Sequence, residues 1–576
     1  MLLLNLNLLA TAPGGVARLR ELILTLAVQG KLVPQDSSDE PASVLLKKIR
    51  AEKDRLIAAG KIKRDKPLVE IAEEEKPFGL PVGWAWSNLA TVGVINPRND
   101  ASGETIASFV EMRSIPAAFS AEHSTESRPW RDIKSGFTQF AEGDVGVAKI
   151  TPCFENGKST VFQNLSSGIG AGTTELHTVR PLGDIAPRYV LLFLKTPAFL
   201  FNGEAVMTGS AGQKRMPRVY FESTPFPLPP SAEQYRIVTR VEELMRLCDA
   251  LETKGQLEAT QHAQLVSTLL GTLTGSEAPV QLADNWQRIA SHFDLLLDRP
   301  QAVDALEQTI LQLAVRGLLV PQDPQDEPAS VLLKKIRAKK DRLIADGKIK
   351  RDKPLPPMAE DEQPFTLPQG WECVRLGDTV NSSEAGWSPT CIGSPRRNGH
   401  WGVLKVSAVS WGAFDANANK ELPSDLVPRP EYEVQDGDFL LSRANTEELV
   451  ARSVVVGTAE PKLMLSDKII RLDVSSLMNR DFLNLCNNAS HARVHYIANA
   501  SGTSSSMKNV SREVVLRTPV PLPPLAEQSR IVTRVACLRH LCADLRQRLA
   551  AHQSTQAQLA ETLVAQPSNC VTKENA

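Results

Sequence analysis

The chain has no excess of charge of either sign. Sixty-five Lys and Arg stand against 66 Asp and Glu, a formal net charge of −1 over 576 residues. Bulk charge therefore gives no support for a nucleic-acid partner, and any basic surface has to be local. Paired cysteines are also missing. Cys153, Cys248, Cys373, Cys391, Cys486, Cys537, Cys542 and Cys570 form no CxxC, which argues against a zinc ribbon or a disulfide framework and fits reduced thiols in a cytoplasmic protein. No window reaches the ~18 continuous apolar residues of a membrane span. The N-terminal MLLLNLNLLATAPGG is apolar but short, with no basic residue before it. It reads as a frayed or docked lead-in, not a secretory signal.

Catalytic motifs are absent in turn. Gly157-Lys158-Ser159 resembles the end of a phosphate-binding loop, but Pro152 stands where the first Gly of that loop belongs. GIGAGTT (Gly168–Thr174) precedes no clear helix and reads as a surface turn. Asn96-Pro97 is followed by Arg98, not by the second Pro and aromatic that amino-methyltransferases place around a flipped base. The nine His show no HExxH and no clustered ligand spacing. No Ser or Cys sits in a nucleophile-elbow context. Neither half of the chain reads as a catalyst.

What the chain does contain is two internal repeats. TPFPLPPSAEQYRIVTRV (Thr224–Val241) recurs as TPVPLPPLAEQSRIVTRV (Thr518–Val535), 294 residues later. EPASVLLKKIRAEKDRLIAAGKIKRDKPL (Glu40–Leu68) recurs as EPASVLLKKIRAKKDRLIADGKIKRDKPL (Glu327–Leu355), 287 residues later. Repeats of this length define the architecture: two tandem half-molecules, each a basic helix, a long insert and a hinge helix. With 42% hydrophobic and 23% charged residues the composition is that of a globular protein, and its length calls for several domains.

Val16, Leu19, Ile23 and Leu26 mark one face of a helix that Gly30 ends. Asp39-Glu40-Pro41 then begins a second helix that stops at Gly60, so the pair forms a hairpin. Val303, Leu306, Ile310, Leu313, Gly317, Asp326-Glu327-Pro328 and Gly347 repeat every signal. Each insert opens on a Gly-Trp, at Trp84 and Trp371, and is rich in short β runs such as DVGVAKITP (Asp144–Pro152) and TTELHTVRP (Thr173–Pro181). YVLLFLKTPAFL (Tyr189–Leu200) reads as one helix. The inserts share the landmarks AEGDVGVAK and QDGDFLLSR but little other sequence. Each closes on PLPP, stiff and extended because Pro fixes φ.

A long helix follows each exit. Its seam is Ile237, Val241, Leu244, Cys248 and Leu251, then Leu265 and Leu269 in the first copy. In the second it is Ile531, Val535, Leu538, Cys542, Leu545 and Leu549, then Leu559 and Leu563. Alternating steps of four and three make a coiled-coil stripe. The hairpins are the candidate partners for these stripes, the central pair within the middle of the chain and the terminal pair by joining the two ends. The expected fold is α+β: two globular heads separated by long antiparallel coiled-coil helices, with a pseudo-twofold internal repeat. The expected segments are a hairpin at 1–79, a first recognition domain at 80–229, a central spacer at 230–366, a second recognition domain at 367–523 and a C-terminal spacer at 524–576.

A rigid spacer with two diverged heads suits a bipartite target such as duplex DNA read in two major-groove patches. The loops TGSAGQKRMP (Thr208–Pro217) and ASGTSSSMKN (Ala500–Asn509) occupy matching places before the two exits. They nominate Lys214, Arg215, Ser505, Lys508 and Asn509, since small residues permit close approach to phosphates and Arg, Lys and Asn read base edges. Lys149, Lys158, Arg396, Arg397, Arg443 and Asn445 are further candidates. The basic run KKIRAEKDR is diluted by Glu52 and Asp54 and reads as a solvated helix side.

The duplicated GW-headed inserts closed by PLPPxAEQxRIVxRV resemble the specificity subunits of type I restriction–modification systems. The resemblance covers nearly the whole chain. It implies two target-recognition domains, each reading half of an asymmetric DNA site, with helices that set the spacing and dock two methyltransferase subunits. It further implies restriction–translocation subunits, with S-adenosylmethionine on the modification subunits and ATP and Mg²⁺ on the restriction subunits; this chain itself would bind no cofactor or metal. One departure is the full hairpin before the first Gly-Trp, which shorter members lack. Two alternatives stay open on the residues: a partner that fuses nuclease and methylase, and a coiled-coil scaffold with two protein-binding heads.

Overall fold

The structure, a computed structural model, describes residues 6–569 apart from 64–70, 211, 277–278, 352–353, 357, 360–361, 411 and 503–506. The chain divides into two compact units, residues 1–259 with 552–576, and residues 260–551. Both are mixed α and β. Among the described residues no helix is long and apolar enough to cross a membrane.

In the first unit, helices Gly15–Val28 and Ala42–Ala58 form the expected hairpin. Gly30 and Gly60, with φ of 67° and 68°, take the left-handed conformation that ends each helix. Pro41 lies just before the second helix, not in its first turn. Asp39 and Glu40 precede the cap position, which Pro41 holds, and make ion pairs instead: Asp39 with Arg236 at 2.5 Å and Glu40 with Lys48 at 2.6 Å. The second unit repeats the hairpin as Pro300–Val315 and Ala329–Ala345.

The inserts differ in sequence but share a topology. One four-stranded sheet in the first runs in the order Gly93–Ile95, Leu176–Pro181, Val145–Ala148, Ser159–Val161. The second has the same order in Val380–Ala385, Ile469–Val474, Phe439–Ser442 and Ser453–Val455. The two Gly-Asp landmarks enter the equivalent strands. Asp144 caps its turn through the Ala141 amide and pairs with Arg180 at 2.8 Å; Asp438 does the same with the Gln435 amide and with Arg471 at 3.0 Å. Each insert is closed by a two-stranded ribbon, Ala85–Ser87 with Phe226–Leu228 and Glu372–Arg375 with Pro519–Leu522. The single helix expected over Tyr189–Leu200 is two, Pro187–Leu194 and Pro197–Ala205. Pro197 cannot donate to the preceding turn, and the Thr196 hydroxyl caps the new start by accepting from the Phe199 amide.

The repeated motifs meet at the start of each long helix, Ser231–Thr274 and Leu525–Asn569. Glu233 is buried and accepts from the Trp84 indole at 2.9 Å and the Gln35 amide at 2.8 Å. Glu527 accepts from Trp371 at 3.0 Å and Gln322 at 3.1 Å. The next residue locks the insert to the helix. Gln234 donates to the Pro229 carbonyl and accepts from the Ala186 amide, both at 3.0 Å; Gln528 does so with Pro523 and Asn479, again at 3.0 Å. Arg236 and Arg530 then reach Asp39 and Asp326. Gly30 packs beneath the same Trp: a Cβ there would lie 2.4 Å from Pro81 and 3.0 Å from the Trp84 ring.

The long helices divide their seams in a way the heptads did not predict. Ile237, Val241, Met245 and Cys248 are buried against the first hairpin. Leu244 packs on this core and Leu251 is half-buried. Beyond an exposed polar stretch, Val266, Leu270 and Leu273 join the core of the second hairpin, while Leu265 is 51% exposed. The second helix behaves alike. Ile531, Val535 and Cys542 are buried, with Leu538, Leu545 and Leu549 packed against them. Leu559 is exposed, and Ala560 instead is buried with Leu9 and Ala12. A strict 3.5-residue repeat drifts about 20° per heptad from a straight helix. From Cys248 to Val266, and from Cys542 to Ala560, is eighteen residues, roughly five turns at 3.6 residues each, so the straight helix returns these positions and not Leu265 and Leu559 to the seam.

Two measurements test this construction. Glu233→Ala leaves the buried Trp84 indole without its acceptor and should lower stability by about 1–3 kcal/mol in denaturant unfolding. Leu270→Ala should cost about 2–5 kcal/mol, whereas Leu265→Ala should stay within about 0.5 kcal/mol of the parent. Equal effects of the two Leu substitutions would refute the assigned seam.

Candidate functional site

Most of the nominated residues fall on one structural device, present once in each unit. In the first, the segment after strand Val145–Ala148 hooks the loop that precedes the exit. The Lys149 amide donates to the Glu175 carbonyl at 2.9 Å, and the Lys149 carbonyl accepts from Met216 at 2.7 Å. Ile150 bridges Arg215, and the Thr151 amide donates to Lys214 at 3.0 Å. Thr208 and Arg215 close the loop through reciprocal backbone bonds of 3.1 and 2.8 Å.

The second unit repeats this bond for bond. Arg443 donates to the Lys468 carbonyl at 2.7 Å and accepts from Val510 at 3.0 Å. Ala444–Asn445 pairs with Lys508–Asn509, with Ala444 opposite Asn509 and Asn445 opposite Lys508. Ser501 and Asn509 close the loop through reciprocal bonds of 2.8 Å. Lys149 thus corresponds to Arg443, Lys214 to Lys508 and Arg215 to Asn509, at the 294-residue offset of the exit repeat. Ser505 lies outside the described residues.

The side chains differ in freedom. Lys214 is exposed, and so is Arg443, whose side chain has no partner among the described residues. Lys149 is half-buried. Arg215 is gripped by Glu175, with Nε 3.0 Å from Oε2 and Nη2 2.8 Å from Oε1, and this hydrogen-bonded pairing holds the Glu175 carboxyl below its ordinary range. Lys508 donates to the Gly502 carbonyl at 3.2 Å and lies 3.9 Å from Glu447. Asn445 donates to the Ser410 hydroxyl at 2.8 Å.

Three nominated residues stand apart from the hooks. Lys158 donates its ammonium to the Met112 carbonyl at 2.9 Å. The Arg396 side chain is only 13% exposed and pairs with Glu460 at 2.7 Å. Arg397 is 73% exposed but pairs with the buried Glu421 at 2.7 Å, and its hydrogen bonds hold that carboxyl down to about 2. These side chains are engaged within the fold. Their basic residue type marked them in the sequence, and their partners, 46, 64 and 24 residues away, did not show there.

Three residues at the hooks escaped the sequence reading: Glu175, Lys468 and His177. No local motif marks them, because backbone hydrogen bonds between distant strands bring them to the hook. His177 is buried beneath the first hook, with Nε2 3.2 Å from the Met216 carbonyl. Burial pushes its imidazole down to about 4, with Lys149 and Arg218 acting in the same direction and the Met216 carbonyl opposing.

No protein-family model matches the chain. Two relatives cover nearly all of it. The type I restriction enzyme EcoEI specificity subunit of Escherichia coli is 48% identical over 553 residues, 95% of this chain and 93% of the relative. The EcoAI specificity subunit of Escherichia coli is 44% identical over 561 residues, with the same coverage of each chain. A solved chain from work on the assembly and conformational transition of a type I R-M system matches with a TM-score of 0.51 at 17% identity. It covers 85% of this chain and 99% of its own, a likeness of fold.

The first hook should be acid-sensitive. With its folded-state pKa near 4 and an ordinary value of 6.5, His177 stabilises the fold above pH 6.5 and that contribution is lost as the pH falls toward 4. The difference is worth about 3 kcal/mol at most. His177→Gln, which can still donate to Met216, should flatten that part of the stability–pH curve. An unchanged curve would show that His177 is not the titrating group.

Proposed function

We infer the function from membership: the chain belongs to the specificity subunits of type I restriction enzymes. It is the DNA-recognition subunit of a type I restriction–modification complex, and each head reads one half of a bipartite, asymmetric site. The observation that carries the assignment of the DNA contacts is the doubled hook. Ser210 and Gly212, small and exposed in the first loop, leave room for close approach to the sugar–phosphate backbone, while Gly209 and Gly502 are glycine because their own loops pass close by, a Cβ there lying 2.7 and 2.5 Å from a loop carbonyl. In this reading Lys214 and Lys508 supply phosphate contacts, while Arg215, Arg443 and Asn509 read base edges. A chain of net charge −1 then binds DNA through two local patches.

The remaining surfaces serve assembly. The long helices, of 44 and 45 residues, extend about 66 Å each at ~1.5 Å per residue and set the interval between the half-sites. An apolar groove of about 390 Å³ in the second unit, lined by Trp286, Phe293, Leu306, Leu538, Leu541 and Leu545, supports docking of a partner there. The partners are two methyltransferase subunits, which carry S-adenosylmethionine, and restriction–translocation subunits, which use ATP and Mg²⁺. In this reading the chain itself performs no chemistry.

Exchange of Ala85–Leu228 for the corresponding segment of another family member tests the modular reading, since the frame contacts of Trp84, Glu233 and Gln35 lie outside it. A genome-wide map of methylated adenines should change in one half-site only. A change in both halves, or in neither, would overturn the assignment of one half-site to each head.

A further inference from the structure

The ion pair at the first hook has the chemistry of a base-reading element. Glu175 occupies one edge of the Arg215 guanidinium, through Nε and Nη2. Nη1 makes one long bond, 3.4 Å, to the Gln213 carbonyl. A guanidinium carries five N–H donors in a fixed plane. These contacts use one hydrogen each on Nε, Nη2 and Nη1, and leave one on Nη1 and one on Nη2 as a parallel pair at its end. The Arg215 side chain is 47% exposed. A parallel donor pair fits the O6 and N7 acceptors of guanine in the major groove.

Two further observations favour a reading role over a framework role. The second hook forms the same backbone hydrogen bonds with Lys468 in the place of Glu175 and Asn509 in the place of Arg215. The hook is therefore built without this ion pair, and its two members are replaced together. The frame contacts behave in the opposite way, with Trp84, Glu233, Gln35 and Arg236 all retained as Trp371, Glu527, Gln322 and Arg530. Charge points the same way. Arg215 neutralised by Glu175 contributes little to phosphate attraction, which Lys214 beside it supplies without a carboxylate partner among the described residues.

We propose that Arg215, held in orientation by Glu175, reads a guanine in the half-site of the first head, with Glu175 as its positioning residue. The proposal rests on the DNA-recognition reading above and adds a base identity and a residue pair to it.

The test uses the full chain reconstituted with its methyltransferase partner, and duplex libraries randomised across both half-sites. Arg215→Ala and Arg215→Lys should each lose about ten- to a hundredfold of the preference at a single G·C pair. The other half-site should keep its preference. Glu175→Gln keeps the cation but releases it, so preference at the same pair should weaken. The slope of log affinity against log salt should steepen by up to about one as a free cation is gained. Arg215→Lys and Glu175→Gln decide the matter if Arg215→Ala does not assemble. A wild-type complex with two-part specificity whose variants keep every base preference would overturn this proposal and leave the recognition reading intact. A uniform loss of affinity on all sequences would make Arg215 a phosphate contact and would also overturn it. A wild-type complex with no sequence preference would overturn the recognition reading itself.

Discussion

A carboxylate buried at the head of each long helix has to be satisfied, and the rest of the frame is arranged to do so. Glu233 and Glu527 have almost no access to solvent. Each is supplied by an indole from the Gly-Trp that opens the insert and by an amide from the loop of the hairpin. Hydrogen bonds to an ionised group are worth about 1.5–3 kcal/mol each, and desolvation makes both necessary. The Glu233 and Glu527 carboxyls are nonetheless pushed up by burial, with the indole and amide donors drawing them back. Three segments distant in sequence are thereby held at one point, and the neighbouring Gln234 and Gln528 fasten the insert there.

That constraint separates what is invariant from what is free to vary. Trp, Gln, Glu and Arg appear twice with matching distances. Between them, each insert keeps its sheet order and its Asp–Arg pair behind the Gly-Asp turn while most surface residues differ. The hooks sit at the boundary: matched in backbone bonding, and different in side chains apart from Lys214 and Lys508. A recognition protein needs that combination, because a rigid support can then carry different readers without being rebuilt.

The frame was legible in the sequence because it is written twice. The hairpins, the stop glycines and the exits all followed from the repeats, and the landmarks AEGDVGVAK and QDGDFLLSR set Lys149 against Arg443; the match of Lys214 to Lys508 comes from the backbone pairing of the hooks. Beyond Cys248 and Cys542 the seam was misplaced by one residue at Leu265 and Leu559, while Leu269 packs on the core as expected and Leu563 is half-buried; a heptad template assumes a supercoil that a straight helix does not follow. The break at Pro197 was overrun by the apolar pattern on either side of it. Arg396, Arg397 and Lys158 were nominated by residue type, and the partners that engage them are remote in sequence. Glu175 was invisible for the same reason: its meaning lies in a strand pairing, and nothing around TTELHTV announces an arginine forty residues away.

The near-identity of the two hairpins has a genetic consequence. The stretches encoding Glu40–Leu68 and Glu327–Leu355 are candidates for unequal crossing-over. A crossover within them removes the segment between and joins the first hairpin to the second insert. The chimera loses one head yet keeps the buried cluster at the start of the long helix, since Asp39 and Gln35 stand where Asp326 and Gln322 stood relative to Arg530 and Glu527, while Arg539 and Arg546 exchange Asp304 and Glu307 for Ala17 and Arg20. Gene rearrangement can therefore delete a reader and keep the buried cluster that closes the frame, with loss of the ion pairs further along the long helix.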